Sequence, residues 1–225
     1  MSEHVYQPRD VNLAFFDLDG TLVVGQTQRL LVTFLREKGM IGLGFLLGTG
    51  IWFILYRMGL VKATDRARAR AGELFAGMNV QEVDTLMDEF AGEELVPRLH
   101  AGALNALRGH REAGDEIVIL SAALQPLVDA LGRALGVKDC EGTRLERKDG
   151  IYTGQVIGRP LYGSEKARVA RAYLEGQGAD PGGCSAYADH ETDVDLLRLV
   201  GTPVAVNPRR ELQALAEESG WRILP

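Results

Sequence analysis

The run VNLAFFDLDGTL at residues 11–22 decides how the rest of the chain is read. Its first six residues are mostly apolar, short enough for a buried strand, and stop abruptly at Asp17. Asp17 and Asp19 then set two carboxylates two residues apart just past that strand, a costly arrangement unless a cation or hydrogen bonds compensate them. Gly20 allows a sharp turn and can bring backbone N–H groups toward an anion. Alone, the Asp-x-Asp-Gly pattern fits a solvated turn equally well. A calcium loop does not fit, because the further acidic positions and the closing Glu are missing, with Val23 and Gly25 at early ligand sites.

Three more short β-like runs end in the same way. Residues 116–120 lead into Ser121, residues 184–188 into Asp189, and residues 203–206 into Asn207. Helical patterns lie between them. Residues 97–113 put Leu99, Ala103 and Leu107 on one face, with Pro97 near the start and Gly114 at the end. Residues 164–175 are expected to start at Ser164 as N-cap and stop before Gly176. Strands alternating with such helices predict an α/β fold, a Rossmann-like parallel sheet core covered on both faces. Ligands of such sheets bind beyond the carboxyl ends of the strands, where Asp17, Ser121 and Asp189 would converge. The stretch 143–157 departs from this rhythm: Asp149-Gly150 between alternating runs predicts a β-hairpin.

Hydrophobic residues make up 46% of the 225-residue chain and charged residues 25%, ordinary values for a soluble globular protein. A net charge of −6 argues against a nucleic-acid binder, which needs a basic footprint. The two cysteines, Cys140 and Cys184, form no CxxC pair and have no histidine cluster nearby, so a zinc site is not expected. The start MSEHVYQPRD lacks the basic and apolar regions of a secretory signal, and a cytoplasmic setting is the expectation.

Residues 25–91 read as mainly helical and as an insertion, leaving residues 1–24 and 92–225 for the core. Within them, residues 39–56 (GMIGLGFLLGTGIWFILY) carry no charge. Eighteen such residues reach the length of a membrane span, but five are glycine, and one complete crossing would put Asp17 across the membrane from Ser121 and Asp189. The segment is expected to pack inside the insertion, with peripheral contact to a membrane or lipid as the alternative.

FFDLDGTLV at 15–23, the ILS ending at Ser121, Lys166 in YGSEKARV, and YADHETDVDLL at 187–197 together resemble the four ordered motifs of the haloacid dehalogenase (HAD) superfamily. The set is most similar to the phosphoserine-phosphatase-like branch, which carries a helical cap after the first motif; residues 201–224 resemble the end of that branch. The resemblance covers the core and leaves the cap largely unmatched. It implies a Mg²⁺-dependent phosphatase in which Asp17 is the nucleophile and Asp19 the acid/base. The metal would be held by the Asp17 carboxylate, the Asp19 carbonyl and Asp189, with Asp193 supporting the shell or Lys166. Ser121, Ala122, Gly20 and Lys166 would bind phosphate. Lys166 in the first turn of its helix is poorly placed for the helix dipole, which makes sense if it faces an anion. His190, where the branch commonly has serine, is read as a supporting or partly exposed residue.

Two departures bear on substrate. Phosphoserine phosphatases have an acidic residue nine positions after the nucleophile, where this chain has Gln26, which brings no charge to an ammonium group. Their Ser-Gly-Gly is Ser121-Ala122-Ala123 here, and the added methyls narrow the approach to the backbone. Trp52 and Tyr56, with Phe45 and Phe53, make the cap aromatic, so the expected substrate is a small-molecule phosphomonoester with a bulky or apolar organic group. The alternatives are phosphoserine itself, or a membrane-docked regulatory module with a vestigial site.

Overall fold

The computed structural model describes residues 11–41 and 72–225. Six strands form one parallel sheet: β1 (Leu13–Phe16), β2 (Glu116–Leu124), β3 (Asp139–Thr143), β6 (Ser185–Ala188), β7 (Thr202–Val206) and β8 (Arg222–Leu224), in the order β3-β2-β1-β6-β7-β8. Between β3 and β6, β4 (Leu145–Lys148) and β5 (Ile151–Val156) make a separate antiparallel hairpin. Asp149 and Gly150 at its tip both take positive φ, 51° and 77°, the backbone a two-residue turn of this hand requires.

The central strand shows why the sheet needs two covers. All four residues of β1 are buried, and alternate side chains go to opposite faces. Ala14 and Phe16 join an apolar cluster with side chains of α1 (Thr27–Glu37), α2 (Val80–Phe90), α3 (Ala101–Ala113) and α4 (Gln125–Leu135), of which α3 and α4 pack on the sheet. Leu13 and Phe15 join the cluster beneath α5 (Ser164–Gln177), α6 (Val194–Leu197) and α7 (Arg210–Ser219). Each fully buried phenylalanine contributes about 1.5–3 kcal/mol relative to an exposed one. Two-sided burial is the reason the run reads as continuously apolar rather than alternating.

Several boundaries differ from the sequence expectation. The second strand does not stop before Ser121 but continues to Leu124, with a register shift against β3 between Leu120 and Leu124. The Gln125 side chain fills that gap, donating to the Cys140 carbonyl (2.8 Å) and accepting from the Gly142 N–H (2.6 Å). The helix expected from Pro97 starts at Ala101; Pro97 lies in a short 3₁₀ turn and Leu99 outside the helix. Its N-cap is His100, whose Nδ1 accepts from the Ala103 N–H at 3.1 Å. Helix α5 is capped by Gly163 rather than Ser164 and runs through Gly176 to Gly178, where φ of 63° ends it.

Residues 22–24 and 98–100 cross as a short antiparallel pair, through Val24 N–H to the Arg98 carbonyl (2.8 Å) and His100 N–H to the Leu22 carbonyl (2.9 Å). Of the uncharged segment 39–56, residues 42–56 lie outside the described residues, as do Phe45, Trp52, Phe53 and Tyr56. Among the described residues, no helix is long and apolar enough to cross a membrane.

Candidate active site

Neighbouring parallel strands bring residues from distant parts of the chain to one edge. Asp17 follows β1 and Asp189 follows β6, which is paired with β1 at Phe16↔Tyr187. The Asp17 N–H donates to the Tyr187 carbonyl at 2.9 Å, so the ladder reaches the first carboxylate itself. Lys166 enters from the first turn of α5, and Asp193 ends a 3₁₀ turn, Glu191–Asp193, just past β6.

Lys166 joins the set. Its Nζ donates to Asp17 Oδ1 at 2.6 Å and to Asp193 Oδ2 at 2.7 Å, and the residue is 3% exposed. Burial works against its charge, but the fields and hydrogen bonds of the two carboxylates outweigh burial and hold its pKa above the ordinary lysine value. Asp193 moves in the unfavourable direction: burial and the Asp17 charge raise its pKa by more than Lys166 lowers it. The two shifts are consistent, because one cation is shared among too many anions. Asp189 is pushed up to about 7 by burial and by Asp17, against the opposing charge of Arg209. Asp19 is also raised, first by burial and then by Asp17, against a hydrogen bond from Thr27.

Gly20 has φ of 80°, and a methyl group there would overlap the Asp189 carboxylate. Its own N–H donates to the Val23 carbonyl at 2.9 Å and closes the turn. The glycine is needed for room and for left-handed backbone. Gly20→Ala is therefore expected to displace Asp189 and to cost both stability, about 1–3 kcal/mol, and most of the activity. Thermal melting together with turnover checks this; an alanine variant with wild-type values for both would refute it.

The Ser121 hydroxyl oxygen accepts from the Ala123 N–H at 3.1 Å, leaving its own hydrogen available for an anion. The Ala122 carbonyl accepts from Thr143 Oγ1 at 2.8 Å, which ties the strand to β3 within the register shift. Gln26 is exposed at the N-cap of α1 and makes no side-chain capping bond. His190 caps the 3₁₀ turn that carries Asp193, its Nδ1 accepting from the Thr192 N–H at 3.2 Å.

Two site residues escaped the sequence reading. The Thr27 N–H, at the start of α1, donates to Asp19 Oδ1 at 2.5 Å, so the second carboxylate serves the helix end that Gln26 leaves uncapped. Arg209 donates its backbone N–H to the Asp189 carbonyl at 2.9 Å and holds its Nε 3.9 Å from Asp189 Oδ2. It follows β7, so the strand-end logic that singled out Asp17 and Asp189 could have found it. A groove of about 580 Å³ elsewhere, between β3, the 157–161 loop and α5, is lined by Glu141, Arg144, Glu165 and Arg168 but by none of Asp17, Asp19, Lys166, Asp189 and Asp193.

The donor set fits a small hard cation. Asp17 and Asp189 supply carboxylate oxygens, and the Asp19 carbonyl receives no hydrogen bond among the described residues. Asp193 Oδ1 is buried without a partner among the described residues. No three acidic, histidine or cysteine side chains converge as a metal cluster among the described residues, but Mg²⁺ is commonly held by one or two carboxylates with waters.

Comparison with known proteins gives the family. Residues 14–198 match the model of the haloacid dehalogenase-like hydrolase family. A protein of Mycobacterium tuberculosis named as a phosphoserine phosphatase is 33% identical over 216 residues, 93% of this chain and 69% of the relative. A histidinol-phosphatase of Neisseria meningitidis is 30% identical over 218 residues, 95% of this chain and 98% of the relative. A crystal structure from Bordetella pertussis of a protein of unknown function superposes with a TM-score of 0.85 at 29% identity, covering 96% of this chain and 98% of that one. A phosphoserine phosphatase carrying a phospho-aspartyl intermediate analogue shares the fold, with a TM-score of 0.62 at 18% identity over 96% and 93% of the two chains. With its buried carboxylates gathered at the carboxyl edge of a parallel sheet, this chain belongs to the haloacid dehalogenase-like hydrolases, in the phosphoserine-phosphatase-like branch, and is a phosphatase.

Proposed function

We propose that the chain is a Mg²⁺-dependent phosphomonoester hydrolase that works through an aspartyl-phosphate on Asp17. The observation that carries this reading is Lys166 bonded at once to Asp17 and Asp193 in a buried site at the strand ends. A carboxylate oxygen of Asp17 attacks phosphorus as the bond to the leaving alkoxide breaks, and Asp19 gives that alkoxide a proton. Burial raises the Asp19 pKa, which favours the protonated form this step uses. Asp19 then takes a proton from water as its oxygen attacks phosphorus, the bond to Asp17 breaks, and inorganic phosphate leaves. Ser121 and Lys166 hold the phosphate oxygens. Mg²⁺, held by Asp17, Asp189 and the Asp19 carbonyl, supplies the positive charge that offsets repulsion between nucleophile and phosphate. Acid quenching during turnover should leave phosphate on the peptide containing Asp17; an adduct elsewhere, or turnover undiminished by EDTA, would overturn the reading.

The crossing of residues 22–24 and 98–100 supports a cap inserted between them, which the sequence bounds at residues 25–91. For substrate, uncharged Gln26 and the aromatic composition of the cap support an organic phosphate bulkier or more apolar than phosphoserine. A panel with phosphoserine, histidinol phosphate and lipid-derived phosphates tests it. Clear preference for small polar phosphates would reject it, and liposome co-sedimentation without turnover would favour membrane docking instead.

The crowded carboxylates also predict a pH effect on the metal-free protein. Asp189, raised to about 7, and Asp193, also raised, both have native values above the unfolded reference of 3.8. Between these values the native state binds more protons than the unfolded state, so stability is highest at the acidic end and falls as pH rises through the native values. EDTA-treated protein should thus melt lower at about pH 8 than at about pH 5, and Mg²⁺ should recover the difference at the higher pH. Equal melting temperatures without metal would contradict it.

A further inference from the structure

Asp189 has a neighbour that the four family motifs do not include. Arg209 stands at the N-cap of α7 without a side-chain capping bond, in a position that favours Ser, Thr, Asp or Asn and disfavours positive charge. Helix formation therefore gives no reason for an arginine there. Its backbone is tied to the site through the bond to the Asp189 carbonyl, and Asn207, two residues earlier, turns with φ of 40° while its N–H donates to the Leu224 carbonyl. The guanidinium lies over Asp189 from the solvent side: the Arg209 side chain is 51% exposed and that of Asp189 is 9% exposed.

We infer that Arg209 is a positioning residue that holds the Asp189 carboxylate in the metal-free site and competes with the divalent cation for it, so that its charge sets how tightly Mg²⁺ binds. This rests on the metal assignment proposed above. Lys166 does not fill the role, because its hydrogen bonds go to Asp17 and Asp193. At 3.9 Å, Arg209 Nε is too far from Oδ2 for a hydrogen bond, so the pair is held by charge alone and separates without losing a directed contact. The side chain can swing into solvent at little cost, while the backbone bond keeps its root beside Asp189. A dication at Asp189 faces this guanidinium at short range and feels its repulsion twice as strongly as a proton would.

The test is a Mg²⁺ titration of the metal-free protein at about pH 8, followed by calorimetry and by melting temperature, for wild type, Arg209→Gln and Arg209→Lys. Removing the charge should tighten Mg²⁺ binding by about three- to tenfold, a range set by a nearby charge that is partly screened. The lysine variant should stay near wild type. A residue that merely shaped the loop would loosen Mg²⁺ binding in both variants, and that result, or an unchanged affinity in Arg209→Gln, overturns the inference. Asp189→Asn separates the two levels. If it binds Mg²⁺ as wild type does, the metal assignment fails and takes this inference with it. If it loses Mg²⁺ while Arg209→Gln is unchanged, only the role of Arg209 fails.

Discussion

Replacing Asp17 with asparagine is expected to lower turnover on the order of 10⁴-fold or more and to leave the chain folded. The loss follows from the proposed chemistry: an amide cannot form the acyl phosphate, and knocking out a covalent nucleophile typically removes nearly all catalysis beyond substrate binding. The stability expectation is less obvious. Taking away one partner of a buried ion pair usually costs about 3–5 kcal/mol because the other charge is left alone. Lys166, however, has a second carboxylate at 2.7 Å in Asp193, and the asparagine oxygen can still accept from Nζ. Asp17 also raises the pKa values of Asp189, Asp193 and Asp19 by repulsion, so its neutralisation relieves the rest of the cluster. These effects offset one another, and the melting temperature should move by only a few degrees. Circular dichroism melting with a phosphatase assay tests both halves. Mg²⁺-dependent turnover near the wild-type rate would remove Asp17 from the mechanism.

The parts of the fold legible in the sequence were those set by local chemistry. Residues 11–16 announce a buried strand because the run is almost wholly apolar, and Asp149-Gly150 announces a hairpin because few other pairs adopt two successive positive φ angles. The strand-end position of Asp17 and Asp189 followed from the same periodicity. What was not legible depends on contacts between distant segments. Nothing in residues 116–124 reveals that the strand continues past Ser121, since that depends on the Gln125 side chain replacing a backbone partner of β3. The start of α3 at Ala101 is not legible because histidine is an unusual N-cap, and Pro97 sits well in the 3₁₀ turn before it. Helix α5 ran past Gly176 because a second glycine two residues later offered the left-handed terminus. The contact from Thr27 to Asp19 was hidden for a similar reason: the cap of α1 comes from eight residues back in the chain, across a turn whose geometry Gly20 sets.

Lys166→Met should produce the largest loss of stability of any single change at the site, about 3–5 kcal/mol, together with loss of activity. The methionine stem fills a similar volume, so the effect isolates the charge. Without it Asp17 and Asp193 face each other in a buried site that already holds Asp189, and Asp193 Oδ1 has no partner among the described residues even in the native arrangement. For a chain of this size that loss corresponds to a fall in melting temperature on the order of 10 °C. The deficit should depend on pH with a definite sign. Native carboxylates with raised pKa values take up protons more readily than unfolded ones, so the variant escapes part of its penalty in acid and suffers the whole of it once pH exceeds the native values. The gap to wild type is thus smaller at about pH 5 than at about pH 8 in metal-free urea unfolding. A second change, Asp193→Asn, should recover part of the loss in the Lys166→Met background but destabilise the otherwise wild-type chain, because it removes a repulsive charge in one case and a hydrogen-bonded partner in the other. A pH-independent deficit, or an Asp193→Asn effect of the same sign in both backgrounds, would mean that Lys166 is held by packing rather than by the carboxylates it joins.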